Sequence, residues 1–197
     1  MLLKPDNMMT TTSWTNGRTA TVHLLENGSG EKVIMKRYRP GFSGTMFREY
    51  LVARHAAAGL SVVPKVLGFR PSHRELFFSY VPGRRVLEWV LQRFGGKDLV
   101  LAEFESFHGL DTNVEVAEAF SRFRHSTGEE ASRLKQAIKT SYSCLHGMGI
   151  LHGSTDPRNV IYDGDKAFII DFGHSRPSLA PARIDYRGLT HWYGIVR

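Results

Sequence analysis

Cysteine is nearly absent: Cys144 is the single one in 197 residues. No internal disulfide is available, which suits a reducing compartment. Long apolar runs are also missing, and no stretch approaches the roughly 18–20 residues that a spanning helix needs. The opening "MLLKPDNMMTTTSW" has no apolar signal core and no small-residue cleavage site, so a cytoplasmic location with no membrane association is expected. There is no internal repeat, no low-complexity segment and no long basic tail. Cys144 itself, within "KTSYSCLHGMG", is expected to be a small buried hydrophobe.

What remains is the composition of an ordinary globular protein, 42% hydrophobic and 23% charged. The net charge of +7 leaves room for an acidic partner such as RNA or nucleotide. The basic residues are scattered, however, with short clusters only at "MKRYR" and "GRR". A plain basic surface is favoured over nucleic-acid binding.

Periodicity gives a coarse map. "TATVHLLENGSGEKVIMKRY" reads as a hairpin around Asn27-Gly28, a dipeptide suited to a tight turn. "GFSGTMFREYLVARHAAAGL" reads as a helix, with Phe47, Leu51 and Arg54/His55 at helical spacing and Gly59 as its stop. Two strands follow in "VVPKVLGFRPSHRELFFSYVPG", then a short helix in "RVLEWVLQRF" ending at Gly95-Gly96. Residues 97–128 show little beyond helical pieces broken at "HGLDTN", and are the expected partner-docking insert. Next comes a long helix with Ser126 and Glu129 at capping-box spacing and an apolar stripe of Leu134, Ile138, Tyr142 and Leu145. "NVIYDGDKAFIIDFG" reads as a second hairpin, around Asp163-Gly164. The expected class is α+β in two lobes, residues 1–81 and 82–197, with a seam near Tyr80–Gly83.

Four features recur in a meaningful order: "VIMK" with Lys36 at a strand end, Glu49 on the next helix, "HGSTDPRN" with Asn159, and "IIDFG" with Asp171. Phosphoryl transfer needs a cation on the phosphates, a carboxylate to hold that cation, oxygen ligands for Mg²⁺ and a group to orient the acceptor. Lys36, Glu49, Asn159 and Asp171 meet the first three needs.

In these motifs, over residues 15–177, the chain resembles the protein-kinase superfamily, and in compactness the atypical members: the KEOPS-complex kinase, the RIO kinases, and lipopolysaccharide-core and fungal kinase-like proteins. The resemblance implies a bilobal fold, a β-rich N-lobe with one main helix and a reduced, mostly helical C-lobe. It implies ATP and Mg²⁺ as cofactors. Lys36 would meet the α- and β-phosphates, Glu49 would pair with it, and Asn159 and Asp171 would bind metal. Phe78 would be the gatekeeper, with Ser79 and Val81 at the adenine edge. His152 would brace the catalytic loop. His146 and His174 are read as non-ligands, and "ELFFSY" as a core strand.

Three departures stand out. The glycine-rich loop is thin, with Gly17 alone in "TNGRTATVH". No "APE"-like segment follows Gly173, and a chain continuing past Arg197 would look the same. Most important, Ser154 stands where the family has its catalytic aspartate, with Asp156 two positions on. A neutral hydroxyl is a poor base at pH 7. Three accounts stay open. The chain is a pseudokinase scaffold binding nucleotide and a protein partner, or Asp156 takes over as base for slow phosphotransfer or ATP hydrolysis, or a serine was substituted into an otherwise working kinase. An RNA-associated subunit is a further reading.

Overall fold

A computed structural model describes residues 8–16, 18–95, 113–179 and 183–196. The class is α+β. Five strands form one antiparallel sheet: β1 (Met8–Asn16), β2 (Ala20–Asn27), β3 (Lys32–Tyr38), β4 (Val66–Arg70) and β5 (Glu75–Ser79), in the order β1-β2-β3-β5-β4. The helix α1 (Ser43–Gly59) runs between β3 and β4. After β5 come β6 (Arg84–Arg85), α2 (Val86–Phe94), α3 (Val114–His125), α4 (Glu129–Gly147), β7 (Ile150–Leu151), β8 (Val160–Tyr162), β9 (Ala167–Ile169), β10 (Arg176–Pro177) and α5 (Arg183–Tyr193). β6, β8 and β9 form a small sheet, and β7 pairs with β10.

The pleat of β3 explains how the sheet divides its work. Odd residues Val33 and Met35 join Leu25 and Phe77 in a small apolar cluster on one face. Even residues Ile34, Lys36 and Tyr38 face the other way, toward α1, where Ile34 and Tyr38 join the main core. That core is continuous, from Ala20 and Tyr38 through Met46 and Phe78 to Leu134, Ile138, Phe172 and Ile195. It crosses the predicted seam at Tyr80–Gly83, and the Ile169 N–H bonds the Val62 carbonyl at 2.9 Å.

The α4 stripe is as expected, with Leu134, Ile138, Tyr142 and Leu145 all buried. Both hairpins are present, β2–β3 and β8–β9. Four details differ. In the first hairpin the left-handed residue is Gly30, at φ 79°, while the Asn27 side chain caps the turn by accepting the Ser29 and Glu31 N–H groups. On α1 the stripe Met46, Glu49, Ala53 and Ala56 is buried, whereas Phe47 and Leu51 are 47% and 62% exposed. The α4 helix has no capping box: Gly128 is its N-cap, and the Ser126 hydroxyl instead accepts the Gly128 N–H. Cys144 is exposed, on the solvent side of α4. A helical piece does lie within 97–128, as α3, capped by the Asn113 side chain accepting the Val116 N–H at 3.1 Å. Residues 97–112 of that insert, with most of "HGLDTN", lie outside the described residues.

Close packing between α5 and the loop after β7 depends on Gly188. A Cβ there would stand 1.7 Å from Thr155 Oγ1 and 3.0 Å from Thr155 Cβ. Gly188→Ala is expected to destabilise the protein by about 1–3 kcal/mol through overpacking. Gly44→Ala, which points into open space on α1, should be neutral or stabilising by up to about 1 kcal/mol. Urea unfolding of the two variants checks the contrast.

Candidate functional site

Lys36 lies on β3 and points at α1, and Glu49 is on the buried stripe of α1. Their side chains meet at 2.8 and 2.7 Å, with Lys36 Nζ donating to both carboxylate oxygens. Two residues after β9, Asp171 brings a second carboxylate to the same ammonium at 2.9 Å. Glu49 is further bonded by the Phe172 N–H at 3.3 Å and by the Tyr38 hydroxyl. Three separate stretches of chain, β3, α1 and the turn after β9, therefore converge on one cation.

The electrostatics follow from burial. Loss of water disfavours the Lys36 charge, yet Asp171 and Glu49 override this and hold its pKa well above the ordinary value. Burial likewise pushes Glu49 up, against the pull of Lys36. For Asp171 burial acts upward too, but Lys36 wins and the carboxyl is held down to about 2. Asp171 is also conformationally marked, with left-handed φ 64° and ψ 75° before the tight turn Phe172–His174. Few side chains take that backbone readily, and aspartate is among those that do.

The loop Leu151–Asn159 is held mainly through its backbone. His152 is fully buried, its ring between the carbonyls of Ser154 and Ile170. Burial drives its pKa down, against the opposing pull of Asp185, Asp171 and the two carbonyls. The Ser175 hydroxyl donates to the His152 carbonyl at 2.9 Å. The Asp185 carboxylate, on α5, accepts the N–H groups of His152 and Gly153 at 2.8 and 2.9 Å and lies 3.0 Å from His146 Nε2.

Within this frame Asn159 donates from Nδ2 to Ser154 Oγ at 2.9 Å, so its Oδ1 is the oxygen left to act as acceptor. The Ile170 N–H bonds the Asn159 carbonyl at 2.9 Å, which sets Asn159 beside the start of the Asp171 turn. A carboxylate and a carboxamide are the hard oxygen donors that Mg²⁺ takes, with water and phosphate oxygens completing an octahedron. The donor set fits that ion. Among the described residues, this site included, no group of three or more His, Cys, Asp or Glu that could hold a metal ion is found. Asp156 does not join the cluster: Arg158 donates to its carboxylate from the backbone N–H and Nε at 2.9 Å each and from Nη2 at 2.6 Å.

Phe78 is buried on β5 opposite Ile34. Ser79 ends that strand, and its N–H donates to the Lys65 carbonyl at 2.8 Å. Val81 is buried just beyond it. Gly17 lies outside the described residues. Two residues with clear roles went unread in the sequence, Tyr38 and Asp185. The first was legible in principle, since strand alternation puts it on the Lys36 face. Nothing local marks Asp185 inside "RIDYRGL".

No protein-family model matches the chain, and no curated protein does either. Among solved structures it is similar to one titled as the complex of Rv3197 with erythromycin from Mycobacterium tuberculosis, with a TM-score of 0.56 and 16% identity. The match covers 87% of this chain and 48% of that one, so the chain spans about half of that neighbour's length. At this identity the likeness is one of fold.

Two carboxylates give the site an acid limit. Asp171 and Asp185 both titrate below the ordinary aspartate value, Asp185 because bonds from His146 and two backbone N–H groups outweigh its burial. A folded pKa below the unfolded one stabilises above the unfolded value, near 3.8, and is lost as pH falls through the folded one. Stability should therefore drop steeply below about pH 4, the range in which unfolded aspartates gain protons. Asp185→Asn should flatten that slope and lower stability at neutral pH by about 1.5–3 kcal/mol, as expected for losing hydrogen bonds to a charged group. Urea midpoints measured from pH 7 to pH 2 test both points.

Proposed function

We propose that this chain is a compact, atypical kinase-like protein that binds ATP with Mg²⁺ and transfers or hydrolyses the γ-phosphate slowly at best. The observation that carries this reading is the convergence of Lys36, Glu49 and Asp171, from β3, α1 and the turn after β9, on a single buried ammonium. A lysine with two carboxylate partners from distant segments is an expensive arrangement to bury. It becomes useful where a phosphate takes over one partner and a metal ion the other. In this reading residues 1–81 and 82–197 act as the two lobes of a kinase-like arrangement. Lys36 would contact the α- and β-phosphates, with Glu49 holding it. Adenine would lie against Ser79 and Val81, with Phe78 behind it.

Asp171 and Asn159 would hold Mg²⁺, which when bound neutralises phosphate charge. The protein's own contribution is to position and to exclude water. General-base assistance is weak. Ser154 is a hydroxyl already accepting from Asn159, and Asp156 is bonded to Arg158. A missing base removes about 10²–10⁴ in rate, while positioning and electrostatics survive.

The Asp156–Arg158 pairing also favours a second reading, a nucleotide-binding scaffold without turnover whose shape is read by a protein partner. Both readings share the nucleotide site. Neither gives RNA a part.

Calorimetry with ATP and Mg²⁺, together with a turnover assay, tests the proposal. Wild type should bind ATP only weakly without Mg²⁺. Lys36→Ala should weaken binding by about 10–100-fold, the worth of one charge-assisted hydrogen bond. Asp171→Asn should abolish the Mg²⁺ dependence. Ser154→Asp should raise turnover by about 10²-fold or more, while Asp156→Asn leaves it unchanged. Absence of Mg²⁺-ATP binding by the wild-type chain would overturn the proposal, and absence of turnover in Ser154→Asp would favour the scaffold.

A further inference from the structure

Lys36 has three ammonium hydrogens, and three oxygens already claim them: Oε1 and Oε2 of Glu49 at 2.8 and 2.7 Å, and Oδ1 of Asp171 at 2.9 Å. A nucleotide phosphate can reach this ammonium only by displacing one of them. Glu49 is 1% exposed. A carboxylate buried so deeply and left without donors would be strongly unfavourable. Something other than Lys36 has to keep it satisfied and in place while the lysine turns.

We propose that Tyr38 is that group, a positioning residue whose hydroxyl fixes Glu49, and with it α1, independently of Lys36. The proposal rests on the Mg²⁺-ATP reading given above. Tyr38 follows Lys36 by two residues on β3, so the pleat delivers both to the same face. Its hydroxyl donates to Glu49 Oε2, and the Phe172 N–H donates to Oε1. Each carboxylate oxygen thus has one donor that is not the lysine. Lys36 can lend a hydrogen to phosphate and leave neither oxygen bare.

The tyrosine is itself rigidly placed. Its ring is 1% exposed within the main core. Its backbone N–H donates to the Arg74 carbonyl at 2.8 Å, and its own carbonyl accepts from Arg74 Nε at 3.1 Å. Burial pushes the phenol pKa up, so the hydroxyl keeps its proton through the physiological range. A phenylalanine here would keep the ring in the core but leave Oε2 dependent on the lysine alone. The arrangement implies that α1 is set in its inward position before any nucleotide arrives.

Tyr38→Phe keeps the ring and removes only the donor. Hydrogen exchange in the ligand-free protein should show α1 residues 43–59 and the Phe172 amide exchanging about tenfold faster, with the α4 core at Leu134–Leu145 unchanged. Mg²⁺-ATP affinity should fall by about tenfold, equivalent to one buried hydrogen bond. A double-mutant cycle with Glu49→Gln separates positioning from mere core packing. If the hydroxyl acts through Glu49, Tyr38→Phe has little further effect on exchange or affinity in the Glu49→Gln background. Additive effects, or unchanged exchange in α1 and at Phe172, would overturn the proposal. If wild type failed to bind Mg²⁺-ATP, the nucleotide reading would fall, and the exchange cycle would still decide whether Tyr38 holds α1.

Discussion

A lysine ammonium deprived of water must be matched by carboxylates that are themselves held, or the fold loses more than it gains from burying them. Much of the sheet-bearing half can be read as a solution to that requirement at Lys36. The register of β3 against β5 fixes which face the lysine occupies. The helical period of α1 sets Glu49 on the same stripe as Met46, Ala53 and Ala56, so burying the apolar stripe delivers the carboxylate. The left-handed backbone at Asp171 turns its side chain back to the cation and sends the chain into the Phe172–His174 turn. That turn is the feature of the second half that α1 packs on most closely, through Gly173 beside Thr45.

The loop carrying Ser154 is organised by different means. Asp185 gathers two of its backbone N–H groups, His152 wedges between two carbonyls, and Ser175 holds a third carbonyl. None of these bonds involves the side chain at position 154. The path of the loop therefore rests mainly on bonds other than the one that Ser154 Oγ accepts from Asn159.

What the sequence revealed and concealed divides along the same line. Lys36, Glu49, Asn159 and Asp171 could be picked out because short motifs surround them, and the structure gathers the first two with Asp171 around one ammonium. Strands and helices with clean periodicity, such as the α4 stripe, were legible for the same local reason. The α1 helix was legible but its buried face was not, because the helix is apolar on two sides and Phe47 and Leu51 fit helical spacing as well as the buried set does. The first turn was misread because the Asn27 side chain does the capping, shifting the positive φ from Gly28 to Gly30. Cys144 fits the general tendency of free cysteines to be buried but lies on the other side of its helix. Asp185 was invisible because its partners stand more than thirty residues away in sequence, and the Asp156–Arg158 pairing because it competes with a role that spacing alone suggested.

The main apolar cluster runs without interruption from the sheet to α5, through the seam where two lobes would meet. A core shared in this way ties the fate of each half to the other. Removing the support of one side exposes apolar surface on both, so local opening near the seam carries a free energy close to that of global unfolding. Openings across the seam therefore engage both halves, while a single element such as α1 can still open by itself. A ligand that grips a few residues of the sheet then also raises the cost of openings that cross the seam, with no moving part to carry the message.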